Sequence, residues 1–226
     1  MPTLTSTLVS GVLDRLYATA ASADLPLRER FANLSPQERK EIFEAQQSDY
    51  RSTYERMSAA YIPVDREFGT LLNILACARQ AKTIVEFGTS FGLSTIQLAA
   101  ALRDNGGGLL VSTEFIPAKA EAARINLQAA GLSDLVEIRL GDALETLKEG
   151  VGRSIDLVLL DGAKNLYVPI LKLLEPTLAP RALIATDNTT DESPYAAYVR
   201  NPAHGYLSLG LPFRSGNELS LWLGKS

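Results

Sequence analysis

The stretch Val85-Glu86-Phe87-Gly88-Thr89-Ser90-Phe91-Gly92-Leu93-Ser94 joins the short apolar run Thr83–Phe87 to a helical segment through a turn rich in glycine. A strand that leads through such a turn into a helix is typical of a βα unit. Glycine has no Cβ atom, so the turn can be tight and a ligand can approach the backbone closely. The glycine spacing differs from the G-x-G-x-x-G pattern of dinucleotide-binding proteins, so the turn alone does not specify a ligand.

Outward from this turn, short apolar runs alternate with helical stretches from Thr83 onwards. This alternation predicts βα units and a parallel sheet that is covered by helices on both faces. The runs predicted to be its strands are Thr83–Phe87, Leu109–Thr113, Val136–Leu140, Ile155–Leu160 and Ala182–Thr186.

Two more strand-like runs follow near the C-terminus. Tyr206–Leu211 and Leu219–Leu223 flank the turn residues Arg214-Ser215-Gly216-Asn217, which predicts an antiparallel hairpin. We therefore expect an α/β fold with a doubly wound, seven-stranded sheet, mostly parallel, that ends in this hairpin. We expect residues 1–62 to form an N-terminal helical arm and residues 63–226 to form one domain.

The arm carries one clear helix start. Ser35 can cap the free N–H groups, Pro36 suits the first helical position, and Glu38 can complete a capping box. An apolar stripe predicts that this helix continues to about Ala60, and a second helix is expected near Arg66–Arg79. The residues of the stripe are Ile42, Phe43, Tyr50, Tyr54 and Met57.

Composition excludes several classes of protein. Lys and Arg total 22 against 26 Asp and Glu, so the net charge of −4 gives no overall field that would gather polyanions, and we expect no nucleic-acid partner. No apolar stretch approaches the ~18 residues of a membrane span, and no signal-peptide pattern begins the chain. The single cysteine, Cys77, cannot form an intramolecular disulfide. We expect a cytoplasmic protein without a membrane partner.

Acidic residues follow consecutive predicted strands, at the edge where open α/β sheets bind ligands. Glu114 follows the second strand at about the ~20-residue offset at which such folds place an acid on a ribose. Asp142 follows the third strand and Asp161 follows the fourth. Solvated loop acids alone do not easily explain this register, which indicates a ligand site.

These motifs resemble those of the cation-dependent O-methyltransferases, a family that includes the catechol and caffeoyl-coenzyme A O-methyltransferases. The resemblance runs from about Ile62 to Leu223. Residues Val85–Ser94 resemble the family's cofactor loop, and Gly141–Leu147 is similar to its adenine-side motif. The most specific match is Asp161–Tyr167 followed by Asp187-Asn188-Thr189, which is similar to the family's D-x-x-K-x-x-Y and D-N pair.

The resemblance implies a Rossmann-like fold, S-adenosylmethionine as the cofactor, and Mg²⁺ or another divalent cation such as Mn²⁺. It implies that Asp161, Asp187 and Asn188 are the metal ligands and that Lys164 is the catalytic base. It also implies that Glu114 holds the ribose. The rest of the cofactor site would be lined by Val64, Glu86, Gly88, Thr89, Ser94, Asp142, Ala143 and Asp161.

The chemistry of these residue types agrees with that implication. Two carboxylates and one amide oxygen form a hard, all-oxygen set that suits Mg²⁺, and the lack of His or Cys argues against zinc. A free phenol has a pKa near ~10 and is mostly protonated at neutral pH. A dication stabilises the phenolate and lowers the pKa of a neighbouring lysine. We expect methyl transfer to the hydroxyl of a small aromatic substrate of catechol type.

Two alternatives stay open. One is a tRNA hydroxyuridine O-methyltransferase, which would need a basic cluster that the sequence does not show. The other is a non-catalytic cofactor-binding protein, which would predict an eroded metal set. Whichever holds, a twofold homodimer is expected, with the arm near the interface or over the active site.

The sequence departs from the family pattern at two places. Ala163 replaces a residue that is often acidic or aromatic, and Asn217-Glu218 stands where an Asp-Gly pair is common. We interpret Glu218 as a charge at a strand edge. We interpret His204, the only histidine, as a solvated loop residue.

Overall fold

The chain is built around one sheet of seven strands. A computed structural model describes residues 1–39, 41–42, 49–213 and 216–225. The strands have the spatial order β3-β2-β1-β4-β5-β7-β6, and only the pairs of β7 with β5 and β6 are antiparallel. The predicted fold class is therefore confirmed. The strands are β1 Thr83–Phe87, β2 Leu109–Glu114, β3 Val136–Leu140, β4 Ile155–Leu160, β5 Leu178–Asp187, β6 Tyr206–Leu211 and β7 Asn217–Trp222.

Helices precede the sheet, connect its strands and cover both of its faces. Among the described residues, no helix is long and apolar enough to cross a membrane. The α-helices are α1 Thr7–Ala23, α2 Leu25–Ala32, α3 Tyr50–Arg56, α4 Arg66–Ala78, α5 Leu93–Asp104, α6 Pro117–Ala129, α7 Ala143–Thr146, α8 Tyr167–Leu174 and α9 Pro194–Val199.

Each face of the sheet has its own hydrophobic core. Ile84 packs in a core with α1, α4 and α5, whereas its neighbour Val85 packs in a second core with α8 and α9. Successive residues of a strand point to opposite faces, so a strand buried on both sides must be apolar at every position. This requirement explains the continuous apolar run Leu157–Leu160 in β4, and the predicted bounds of that strand, Ile155–Leu160, are confirmed.

Helix α1 belongs to the first of these cores and was not predicted from the sequence. The side chain of Ser6 caps the helix by accepting a hydrogen bond from the backbone N–H of Val9. Residues at helical spacing are buried against α4 and α5, namely Val9, Val12, Leu13 and Leu16. The N-terminal segment is thus packed on the sheet layer, and the division of the chain at residue 62 stays a prediction.

Replacing Leu16 with Ala should lower the free energy of unfolding by about 2–5 kcal/mol, because the change leaves a cavity in a closed core. Leu16 is 1% exposed. The measurement is urea denaturation followed by circular dichroism. Leu8→Ala is the control, since Leu8 lies on the same helix but is 58% exposed. Equal destabilisation by both substitutions would contradict the packing of α1.

The capping box predicted at Ser35 is present. The Ser35 hydroxyl donates a hydrogen bond to Glu38 Oε2 at 2.7 Å, and the N–H of Glu38 donates to Ser35 Oγ at 3.3 Å. The predicted continuous helix to Ala60 is wrong. Asp49 has an extended φ of −142°, and its carboxylate accepts from the N–H of Ser52, so a separate helix, α3, starts there and ends at Arg56. Phe43, predicted on the apolar stripe, lies outside the described residues.

The C-terminal hairpin corrects two interpretations. Glu218 is 1% exposed and accepts hydrogen bonds from Arg200 Nε at 2.8 Å and Ser208 Oγ at 2.6 Å, so it is no edge charge. The reason is that β7 lies inside the sheet, between β5 and β6. His204 is half-buried and stacks on Tyr198 with 4.0 Å between ring centroids. Arg214 and Ser215 of the predicted turn lie outside the described residues.

Candidate active site

A cavity of about 520 Å³ opens beyond the carboxyl ends of β1 to β4. This is the edge at which doubly wound sheets bind their ligands. Two predicted residues, Glu86 and Asp187, are not among those that line it. The predicted residues that do line it are Val64, Gly88, Thr89, Ser94, Glu114, Asp142, Ala143, Asp161, Lys164 and Asn188.

Gly88 lets the loop after β1 pass close to the end of β4. Its φ is +106°, and a Cβ atom at this position would lie 2.4 Å from the backbone oxygen of Asp161. The backbone N–H of Asp161 in turn donates to the carbonyl of Phe87 at 2.8 Å. A side chain at position 88 would separate the glycine-rich loop from Asp161, which explains why glycine is required here.

Glu86 is fully buried beneath the loop and does not face the cavity. Its carboxylate accepts hydrogen bonds from the hydroxyls of Ser94 and Thr95, each at 2.6 Å, and of Ser112 at 2.5 Å. Burial raises the pKa of Glu86, while these three bonds oppose the rise. The side chain therefore joins β1, β2 and the start of α5. Its contact with a cofactor stays a prediction.

Glu114 is held in a fixed orientation at the end of β2. Its Oε1 accepts from the N–H of Ile116 at 2.8 Å, and its Oε2 accepts from the N–H of Ser90 at 2.7 Å. Burial raises the pKa of Glu114, and the hydrogen bond from Ile116 is the largest opposing effect. Each carboxylate oxygen keeps a lone pair after these bonds, so the group can still accept hydrogen bonds from a ligand.

Asp142 connects the cavity to the N-terminal arm. Its Oδ2 accepts from the Tyr50 hydroxyl and from the Arg51 guanidinium, both at 2.6 Å, and its Oδ1 accepts from the N–H of Leu144 at 3.0 Å. Burial opposes ionisation of Asp142, but these hydrogen bonds outweigh it and hold its pKa below the ordinary value. These hydrogen bonds attach helix α3 to the side of the cavity at which the adenine-side motif lies.

Two acidic residues approach each other at the ends of β4 and β5. Burial raises the pKa of Asp161 well above its ordinary value, and the negative charge of Asp187 adds to the effect. Asp187 Oδ1 accepts from the Asn217 amide at 2.8 Å. Asn188, with a φ of +53°, is exposed and lines the cavity. Two neighbouring carboxylates, of which Asp187 is buried and Asp161 half-buried, repel each other unless a cation or a proton intervenes.

The described residues contain no group of three or more His, Cys, Asp or Glu that could hold a metal ion. The predicted set differs from such a group because its third member is an amide, that of Asn188. Carboxylate and amide oxygens are the donors that Mg²⁺ accepts, so the residue types fit.

Lys164 is oriented by a tyrosine three residues later. Its ammonium donates a hydrogen bond to the Tyr167 hydroxyl at 2.8 Å and lies 3.5 Å from Asp161 Oδ1. The Tyr167 hydroxyl donates onward to the backbone carbonyl of Asp187 at 2.9 Å. Tyr167 is the last residue of the Asp161–Tyr167 motif, but no role was predicted for it from the sequence. Its role follows from the one-turn spacing, which places both side chains on one side of the helix.

Several cavity residues were not predicted as part of a site. Asp24, 2% exposed, accepts from the N–H groups of Tyr61 and Ile62 at 2.7 and 2.8 Å and so fixes the segment before Val64. The Tyr61 ring stacks on Phe91 of the glycine-rich loop, with 3.7 Å between centroids. No local pattern in the sequence distinguishes these residues, because the chain fold brings them together.

This chain resembles known proteins in sequence and in fold. A family model described as a methyltransferase domain matches residues 85–189, which include the glycine-rich loop, Glu114, Lys164 and the Asp187-Asn188 pair. The resemblance to O-methyltransferases of the catechol and caffeoyl-coenzyme A type, predicted from the sequence, is confirmed by its relatives.

One relative is the catechol O-methyltransferase of Mycobacterium tuberculosis, which is 39% identical over 127 residues, covering 56% of this chain and 57% of the relative. Another, the caffeoyl-CoA O-methyltransferase of Eucalyptus gunnii, is 28% identical over 144 residues, covering 58% and 57%. The matches thus span a little over half the length of these curated relatives.

Solved structures resemble this chain over most of its length. A cofactor-bound protein from MTB has a TM-score of 0.66 and 28% identity, covering 96% of this chain and 93% of that one. An O-methyltransferase of Bacillus cereus in complex with SAH has a TM-score of 0.66 and covers 94% and 90%. At 21% identity, the second likeness concerns the fold alone.

Proposed function

We propose that the protein is an S-adenosylmethionine-dependent O-methyltransferase that acts on a hydroxyl of a small aromatic molecule of catechol type. The observation that carries this proposal is that one cavity is lined both by the predicted cofactor residues, such as Gly88 and Glu114, and by Asp161, Lys164 and Asn188. A donor and an acceptor bound in one cavity can be held in line for methyl transfer, which is the main task of such an enzyme.

The cofactor would lie along the ends of β1 to β3. Gly88 permits close approach of the loop, Glu114 accepts hydrogen bonds from a ribose, and Ala143 leaves room beside Asp142 for an adenine. S-adenosylmethionine supplies the methyl group from its sulfonium. A solved O-methyltransferase from Streptomyces achromogenes in complex with SAM, which is 28% identical to this chain, supports the assignment.

Asp161, Asp187 and Asn188 would hold the divalent cation. The proximity of the half-buried Asp161 to the buried Asp187 supports this, since a cation between them would remove their repulsion. When bound, the cation would favour the ionised form of an acceptor hydroxyl.

Lys164 would take the proton of that hydroxyl as a neutral amine, since a protonated ammonium has no lone pair to accept it. Its ammonium lies at the cavity wall, 3.5 Å from Asp161, and the hydrogen bond to Tyr167 fixes its direction. A base must lie within hydrogen-bond reach of the proton that it removes, so an oriented lysine beside the acceptor site suits the role. Tyr167 would act as a positioning residue.

The arm supplies an apolar wall to the same cavity. Its side chains suit a flat aromatic ring and exclude water from the reacting groups. They are Leu27, Phe31, Tyr54 and Met57. A wall of this composition favours a small aromatic acceptor over a tRNA base, which would also need a basic surface for the phosphates.

Catechol should be methylated with a kcat/KM roughly tenfold to a hundredfold above that of phenol, since phenol lacks the second hydroxyl that would bind beside the first. The measurement is transfer of a radiolabelled methyl group from S-adenosylmethionine in the presence of Mg²⁺. Resorcinol, whose hydroxyls are not adjacent, is the matched control and should behave like phenol. Equal rates on the three compounds would contradict a catechol-type acceptor.

A further inference from the structure

Lys119 is a buried cation in the cavity that the proposed reaction does not use. It lies in the first turn of α6, is 5% exposed, and lines the cavity beside Glu114. Its ammonium lies 5.6 Å from the centroid of the Phe91 ring. Within the described parts of the chain, this ammonium donates no hydrogen bond to a protein atom. The side chain is buried, but its Nζ is not among the buried polar atoms of the described residues that lack a partner, so the ammonium reaches the cavity and can donate to a group that fills it.

The charges around Lys119 restrict what that acceptor can be. Burial lowers the pKa of Lys119, and the negative charges of Glu114 and Asp24 oppose the effect. Both carboxylates are themselves buried and already accept backbone hydrogen bonds through each oxygen. Two carboxylates thus more than balance the single ammonium. An anionic ligand group would be repelled here, whereas a neutral group that both donates and accepts is favoured.

We propose that Lys119 and Glu114 together recognise the vicinal hydroxyls of a ribose, with Glu114 accepting their hydrogens and Lys119 donating to their oxygens. A hydroxyl is one donor and two acceptor lone pairs, so a diol can satisfy the carboxylate and the ammonium at once. This inference rests on the proposed nucleoside cofactor. It does not depend on the methyl acceptor or on a metal.

The experiment is titration calorimetry with S-adenosylhomocysteine and its 2′-deoxy and 3′-deoxy analogues, without acceptor. Lys119→Met should weaken binding of S-adenosylhomocysteine by about tenfold to a hundredfold, the usual loss for hydrogen bonds to a charged group. At least one deoxy analogue should bind the wild type more weakly than the parent by a similar factor. For Lys119→Met, that difference should shrink to about twofold, because the lost hydroxyl no longer had its donor.

Lys172→Met is the matched control, since the Lys172 ammonium also lies over an aromatic ring, 5.0 Å from the Tyr198 centroid, but away from the cavity. It should bind all three compounds like the wild type. If Lys119→Met does not fold, Lys119→Leu, which also lacks a hydrogen-bond donor, should show the same trend. Full discrimination between parent and deoxy compounds in the folded variant would overturn the inference alone. A wild type that binds no S-adenosylhomocysteine would overturn the cofactor assignment and the inference with it.

Discussion

Lys164→Met should lower kcat by about a hundredfold to ten-thousandfold, the usual contribution of general acid–base catalysis. The affinity for S-adenosylhomocysteine should stay within about twofold, because the lysine contacts the acceptor end of the cavity and not the nucleoside. Its ammonium lies beside Asp161 and Tyr167, whereas Glu114 follows a different strand. The measurements are steady-state methylation of catechol and calorimetric titration of the product nucleoside.

Lys148→Met is the control for this substitution, because Lys148 is exposed and pairs with Glu145 on the surface. Tyr167→Phe removes the acceptor of the Lys164 hydrogen bond and keeps the ring in its packed position. It should lower kcat and shift the pH profile of kcat, with KM for the nucleoside nearly unchanged. A Lys164→Met enzyme with wild-type turnover would rule out the lysine as the base.

Removal of divalent cations should abolish activity, and Mg²⁺ or Mn²⁺ should restore it. Asp187→Ala should be inactive at every cation concentration, since it removes one of two carboxylates from the set that includes Asp161 and Asn188. Ligands that bind only the folded state raise its stability in proportion to their occupancy. Mg²⁺ should therefore raise the Tm of the wild type but not that of Asp187→Ala, which gives a readout independent of catalysis.

Asp134→Ala is the matched control, because Asp134 is an exposed carboxylate that pairs with Arg103 far from the cavity. It should keep both the activity and the effect of Mg²⁺ on Tm. Turnover at the full rate in excess chelator would show that the acidic pair has another purpose, such as structural hydrogen bonding through Asn217.

The sheet could be predicted because its strands obey a local rule. Buried parallel strands are short apolar runs, and β1, β3 and β4 have the predicted bounds. Strand β5 begins at Leu178, four residues before its prediction. The sequence does not reveal this start because the strand is irregular at Pro180 and Arg181. Arg181 has a φ of +61°, and the pairing with β4 shifts its register there. An irregular strand does not carry the pattern that identifies a regular one.

The sequence of the N-terminal arm contains the pattern that predicts α1. Val9, Val12, Leu13 and Leu16 have the spacing of one helix face, and Ser6 is a good N-cap, so α1 could have been predicted. The break at Asp49 was harder to recognise, because an aspartate can also occupy an exposed position within a polar helix. The homodimer stays a prediction.

Some residues of the candidate site could likewise be predicted from the sequence, and others could not. Glu114 ends β2, Asp142 lies two residues after β3 and Asp161 directly follows β4, so the topology brings them together once the strand order is known. Lys119 could not be predicted, because its burial depends on the approach of Asp24 and Phe91 from other parts of the chain. Its local sequence is that of an ordinary surface helix.

Helix α3 is attached to the edge of the cavity through the hydrogen bonds of Tyr50 and Arg51 to Asp142. Helix α3 has no buried residue, and the Arg51 side chain that binds Asp142 is 59% exposed, whereas α5 beneath the cavity has ten buried residues. Exposed ion pairs weaken as salt rises, and segments with few buried contacts open locally before the rest of a protein does. Detachment of α3 would therefore open this side of the cavity, and the exchange rate of the proposed nucleoside cofactor should rise with ionic strength while the sheet keeps its structure.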